Sequence, residues 1–304
     1  MNLDIIFSFL SLTFFSQVLR LFTPYFLGAS AANFSERGGV INIAIEGFMT
    51  FAALSFAVFT LSTGSAEAGL ALSLIVSLIF SLLYSLLTVK FKINQIVAGV
   101  GFNLLMAGLA KFLVMFFYQS SSNTPRFNGI SHIPFIKHIP LIGDILSDPV
   151  VLFAFALLFI SNFVLFKTRF GLRLRSVGEN PEAAESLGIK VRYYKMFGVL
   201  ICGALAALGG IWLASNQNSF SDGMIAGRGY ISLAAMILGK WKPVNIFFAC
   251  LMFAFFEATE ITLQISGTGL PSQFIQMLPY LITLIVLFGF IGKTKPPAAD
   301  GVPY

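Results

Sequence analysis

Charge is what this sequence has least of. Of its 304 residues 11% are Asp, Glu, Lys or Arg, against about 25% in a soluble globular domain. A chain so poor in charge cannot cover a water-exposed surface, so the soluble classes are excluded. Cysteine is as scarce. Cys202 and Cys250 each sit inside an apolar run and form no CxxC pair, so no disulfide framework or thiolate metal site is expected. The two histidines, His132 and His138, share one polar loop without ligand spacing, and neither a metal nor a cofactor is expected. No HExxH and no nucleophile with a paired base occurs, which argues against an intramembrane enzyme. Acid is also short: 13 acidic against 19 basic residues give a net charge of +6. The basic residues cluster beside apolar segments, the pattern of loops held on the cytoplasmic side and not of a nucleic-acid surface.

What the chain has is apolar length. Its mean hydropathy is +0.87, and 57% of it is hydrophobic. The expected fold is an all-α polytopic membrane protein, one transmembrane domain over residues 1–304, with about nine apolar segments that include broken or short helices. The segments run at 5–28, 40–62, 68–89, 94–118, 149–166, 196–214, 229–239, 244–264 and 274–292. The start lacks a charged region followed by a short apolar stretch and an A-x-A site, so the first segment is expected to remain as a span. Between the first two lies SAANFSERGG, 30–39, too polar for hydrocarbon unless buried in protein. Lys90 and Lys92, the 167–195 loop, Lys240 and Lys242, and Lys293 and Lys295 place those ends in the cytoplasm. The charge-balanced 119–148 loop belongs outside. Nine segments then alternate with the N-terminus outside and the C-terminus inside.

Two stretches repeat. Residues 47–54 read GFMTFAAL and 229–236 read GYISLAAM: glycine, aromatic, apolar, hydroxyl, apolar, Ala, Ala, apolar. Gly39 and Gly223 lie just upstream of each. Paired, glycine-interrupted segments in two halves of a chain point to a transport site near the bilayer midplane. The copies enter from opposite sides in this topology, as in an inverted repeat of about 5–118 and 149–292. Polar groups inside the apolar segments need a reason, and Asn42, Glu46, Asn103, Arg228 and Glu257 are the candidates for a solute path. The alternative is structural: Glu46 pairs with a basic residue and the others cap broken helices. Glu46 and Arg228 precede the two shared glycines and are expected to meet. The rival is that Glu46 caps its own broken helix while Arg228 faces the outer mouth. Glu260 shares a helix face with Glu257 and is read as wet. Arg20 and Lys111 can snorkel. The 35 phenylalanines are read as packing and lipid contact.

The longest charged stretch is 167–195, KTRFGLRLRSVGENPEAAESLGIKVRYYK. Asn180 suits an N-cap, Pro181 the first helical position, Glu182 and Glu185 the positive end of a helix dipole, and Gly188 a left-handed stop. A capped two-turn helix between apolar segments is a handle for something outside the membrane. GENPEAAESLGIKV resembles the cytoplasmic coupling segment of ATP-binding-cassette importer permeases of the ribose, branched-chain amino acid and nucleoside group. SERGGVINIAIEGFM, INQIVAGVGFN and GRGYISLAAMILGKWKP are similar, in the right order, to the nucleoside-type members. The resemblance implies a permease subunit of a bacterial cytoplasmic membrane importer for nucleosides, with a simple sugar such as ribose as the nearest alternative. It also implies three partners: an ABC ATPase subunit, a second and different permease, and an extracytoplasmic binding protein or lipoprotein. The ATPase would touch Asn180, Pro181, Glu182, Ala183, Ala184, Gly188 and Ile189. The chain has no ATP site of its own: GFIGKT at 289–294 has Leu287 where a phosphate loop needs glycine. An ion-coupled secondary transporter using Glu46 or Glu257 is the remaining rival, and it has no need of the handle.

Overall fold

The structure, a computed structural model, describes residues 11–134, 146–266, 271, 273–275, 277, 281 and 295–304. Most of the expected last span, with Lys293 and the GFIGKT stretch, lies outside the described residues, as do Lys137, His138 and Asp144. Among the described residues the chain is helical and has no strand, only an isolated bridge between Asn123 and Ser221.

Helix α1, Leu12–Arg37, starts where the Ser11 side chain accepts from the Phe14 N–H. It runs straight through Pro24 and through the polar SAANFSER. One helix therefore joins the first apolar segment to the polar run that follows it. Every side chain from Phe22 to Glu36 is buried, so the polar run is interior and never meets lipid. The chain turns back at Gly39, whose φ of +76° suits glycine. It re-enters through 40–44, where Gln95 Oε1 accepts from the Ile41 N–H at 2.7 Å. Helix α2, Ile45–Thr63, follows, with Glu46 and Gly47 in its first turn. Next come α3, Ala66–Ser85, with a π-helical turn at Leu86–Lys90, and α4, Gln95–Tyr118, capped by Asn94.

Helix α5, Pro149–Lys167, is capped by Asp148. The charged stretch is more helical than its sequence suggests, because its first flank forms α6, Arg169–Glu179. Then follow the short α7, Pro181–Ser186, and α8, Val191–Gln217. After 218–227 come the half-length α9, Arg228–Leu238, and α10, Pro243–Ile265.

Six of these helices are long and apolar enough to cross a membrane. Two-thirds of the most apolar window of α2 and of α8 is buried, against about one-third or less in the other four. The core is therefore α2 and α8, with α1 packed on α8 and α3 packed on α2. Glycine permits this contact. A Cβ on Gly210 would lie 2.0 Å from the Met49 carbonyl oxygen, so α2 and α8 touch backbone to backbone. On the periphery Val97, Leu104, Phe112 and Phe116 of α4 and Ile75 and Ile79 of α3 are exposed, as lipid contact requires.

The basic ends gather on one face. Arg37 donates to the Trp241 carbonyl beside Lys240 and Lys242, and Ala299 N–H donates to Gly178 O at 2.9 Å. On the opposite face Ser131 donates to Glu67, Phe127 N–H donates to Asn218 O, and Thr13 of α1 faces Gln217 of α8 across a cleft. The first described helix thus starts opposite the 295–304 tail, as the alternation of segments requires. The basic face is cytoplasmic by the positive-inside rule.

Candidate functional site

The two broken helices start at one place. From the cytoplasmic face residues 38–44 climb to the start of α2, and from the outer face residues 218–227 descend to the start of α9. The two starts touch: a Cβ on Gly229 would lie 2.6 Å from the Glu46 nitrogen. Glycine is needed here because one helix start abuts the backbone of the other. Gly47 is packed as tightly: a Cβ there would lie 2.8 Å from Asn103 Oδ1.

The side chains of this joint cross between the halves. Glu46 accepts from the Gly227 N–H at 2.8 Å and the Gly229 N–H at 2.7 Å. Its carboxylate therefore caps α9, the helix of the other half, and meets the positive end of that helix dipole. Asn103 of α4 accepts from the Gly47 N–H at 2.8 Å and donates to Ile43 O and to the Tyr230 hydroxyl, both at 2.9 Å. One amide thus ties α2, α4 and α9 together.

The expected pairing of Glu46 with Arg228 does not form. Arg228 pairs with Glu257 of α10 at 2.7 Å, with the two side chains 17% and 18% exposed. The physical reason is that the backbone N–H groups at the start of α9 already occupy both oxygens of Glu46. The rival view also needs correcting, since the helix Glu46 caps is not its own. Tyr25 of α1 donates its hydroxyl to the second oxygen of Glu257, so α1, α9 and α10 meet at one carboxylate. Asn42 stands apart from this group. It is fully buried, donates to Cys202 Sγ at 3.2 Å and accepts from the Ala44 N–H. It shapes the re-entrant turn.

The cytoplasmic segment has the expected caps. Asn180 Oδ1 accepts from the Ala183 N–H at 3.0 Å, Pro181 holds the first position, and Gly188 closes the helix at φ +77°. Ile189 N–H returns to Ala184 O at 3.1 Å. Asn180, Glu182 and Ala183 are exposed, and Pro181 and Ile189 half-buried. Ala184 is a correction. It is 2% exposed and packs with Val177 and Val191 beneath the helix, because the inward side of a two-turn helix needs an apolar anchor. The residue that projects outward is Leu187, 80% exposed.

The tail holds this handle against the body. Lys195 Nζ donates to Val302 O at 3.1 Å and Gly39 O at 3.3 Å, and the Tyr304 hydroxyl donates to Glu185. That hydrogen bond to the acidic Glu185 raises the Tyr304 pKa. Burial pushes the Asp300 carboxyl up to about 7, with Glu36 hydrogen-bonded to it and Lys195 attracting its charged form.

Sequence reasoning missed Tyr25, Tyr230, Leu187 and the tail. Tyrosines in apolar runs give no signal of partners hundreds of residues away. Leu187 was legible, as a leucine inside a charged segment. No metal-holding group of His, Cys, Asp and Glu occurs among the described residues.

Residues 14–287 match the family described as the branched-chain amino acid transport system, permease component. The chain belongs to this family. Among its relatives, the nucleoside ABC transporter permease protein NupC of Lactococcus lactis subsp. cremoris is 42% identical over 95% of both chains. The guanosine ABC transporter permease protein NupQ of Bacillus subtilis is 38% identical over 92% of both. A second guanosine permease of that organism, NupP, is 24% identical over 93% of this chain and 85% of its own. No solved structure matches. With family membership and the six apolar helices, the chain is a multi-pass permease of the cytoplasmic membrane.

Proposed function

We propose that this chain is one of two different permease subunits of an ATP-driven nucleoside importer, working with a separate ATPase and an extracytoplasmic binding protein. The observation that carries the reading is α7, a helix capped at both ends and held on the cytoplasmic face with Leu187 projecting outward. A transporter driven by an ion gradient has no use for such a handle. The nucleoside class is supported by the names of the relatives, and a pair of unlike permeases by NupQ and NupP occurring in one organism. In this reading α2 and α9 are copies within an inverted repeat. Gly39 and Gly223, both left-handed at φ +76° and +74°, support that reading. Glu46, Asn103, Arg228 and Glu257 form the joint about which the halves rock, and Asn42 sets the approach to it.

Proteoliposomes holding this chain, its partner permease and the ATPase, supplied with the binding protein, test the proposal. Uridine or guanosine uptake that requires ATP is expected. Uptake of ribose with neither nucleoside would move the assignment to simple sugars. Uptake without ATP, following a proton or sodium gradient, would overturn it.

A further inference from the structure

The outer halves of α1 and α8 are parted by a cleft of about 520 Å³. Thr13, Ser16, Gln17 and Arg20 line its α1 side. Their spacing of three, four and seven residues makes one helix face, and a polar face of this kind has no place against lipid or in a dry helix contact. Arg20 belongs to this face, so the snorkelling role expected of it is replaced. The stripe descends about 10 Å along the helix. Trp212, Asn216 and Gln217 of α8 form the opposite wall, and Arg228 is reached from within the cleft. The cleft therefore leads from the outer face to the joint. Where it meets Arg228, one guanidinium nitrogen holds Glu257, while Nε is buried without a hydrogen-bond partner among the described residues.

We propose that this cleft is where the solute sits between the outer face and the joint, and that it is shaped for a neutral nucleoside; the ligand class rests on the function proposed above. Hydroxyls and side-chain amides can each donate and accept, which suits ribose hydroxyls. The two guanidiniums only donate, which suits the carbonyl oxygens and ring nitrogens of a base. The volume falls within the range of small-molecule sites, roughly 300–1,000 Å³. No carboxylate is among the described residues lining the cleft, so among them the ammonium of an amino acid or another cationic solute finds no counter-charge. The chemistry thus favours a nucleoside over the amino acids for which the family is described.

The test is a steric block in the reconstituted complex. Ser16→Cys and Asn216→Cys are each modified to completion, once with a small methylthio group and once with a bulky impermeant maleimide. Cys202 and Cys250 are buried and stay silent. The methylthio forms are expected to keep measurable nucleoside uptake at a raised KM, since each removes one polar group of the cleft without filling it. The bulky forms are expected to lose it at least tenfold while still capturing the binding protein. Asn123→Cys, on the outer segment away from the cleft, is expected to tolerate the bulky group. Full uptake with the bulky group in place would overturn the proposal. So would equal loss with both adducts, which marks a packing role, or loss of binding-protein capture, which marks a docking face. If the unmodified complex carries ribose and no nucleoside, the functional reading fails and the ligand class with it. A failed block in a nucleoside-competent complex sinks the cleft alone.

Discussion

Glu257 takes Arg228 on one oxygen and Tyr25 on the other, so three helices depend on a single carboxylate. Removing one partner of a pair this well buried leaves the other charge uncompensated, at a cost of about 3 kcal/mol. Glu257→Gln and Arg228→Gln are each expected to lower resistance to denaturant in detergent by about that amount. The double variant should lose less than the sum of the two, the sign of direct coupling. Fully additive losses would show that the pair does not matter to stability. The charge swap Glu46→Arg with Arg228→Glu is expected to restore no uptake, because an arginine at 46 cannot accept from the Gly227 and Gly229 N–H groups. The sequence marked Glu46, Asn103, Arg228 and Glu257 as costly groups in apolar runs; Arg228 and Glu257 pair, Glu46 caps α9, and Asn103 bonds to both α2 and α9. Which would pair was not legible, since that depends on the relative height of helices about 180 residues apart. Symmetry in the repeat suggested Glu46 with Arg228, and the capping demand of α9 decided otherwise.

At the scale of the element, the cytoplasmic helix was the most legible part of the chain, because caps are local chemistry. Asn180, Pro181 and Gly188 fix its ends from sequence alone, whereas its inward side is set by α6 and α8. Ala184→Glu is therefore expected to unpack the handle by forcing a carboxylate between Val177 and Val191. Leu187→Asp is expected to leave the handle folded and to abolish ATPase capture in a pull-down. Capture at the original level by Leu187→Asp would remove this surface from the coupling role. The 295–304 tail adds a pH dependence. Burial raises the Asp300 pKa from 3.8 to about 7 in the docked tail, against the opposing pull of the Glu36 hydrogen bond and Lys195, so docking favours the protonated acid. Docking is then strongest below the ordinary value and weakens as pH rises through 7, where the charged form must be buried. Hydrogen exchange at the Ala299 amide, corrected for its intrinsic rate, should report more frequent opening at pH 8 than at pH 6. Asp300→Asn should flatten that difference, and an equal difference in the variant would assign it elsewhere.

At the scale of the whole molecule, the order and direction of the described helices follow from hydropathy and basic ends, while their lengths do not. The sequence read SAANFSERGG as too polar for hydrocarbon unless buried in protein. The structure buries it at the centre, since a helix surrounded by α8, α9 and α10 needs no lipid-compatible surface. The same reasoning explains why α9 is only 11 residues long. It starts against Glu46 and not at the outer face, so 218–227 covers the missing height as non-helical chain, anchored by the buried Phe220, Met224 and Ile225 while Asn218, Asp222, Gly223 and Ala226 stay exposed. One path thus enters from each side and the two meet at Gly229. The basic ends fix the orientation, and thiol labelling can check it because both native cysteines are buried. Asn128 is exposed on the outer segment and Glu182 on the cytoplasmic helix. In intact cells Asn128→Cys is expected to react with an impermeant maleimide. Glu182→Cys is expected to react only after the membrane is permeabilised. The outcome bears on mechanism as well as topology, because an ATPase can grip α7 only from the cytoplasm. A Glu182 thiol that labels in intact cells would put the handle outside, leaving the proposed coupling without a partner and turning the solute cleft toward the wrong compartment.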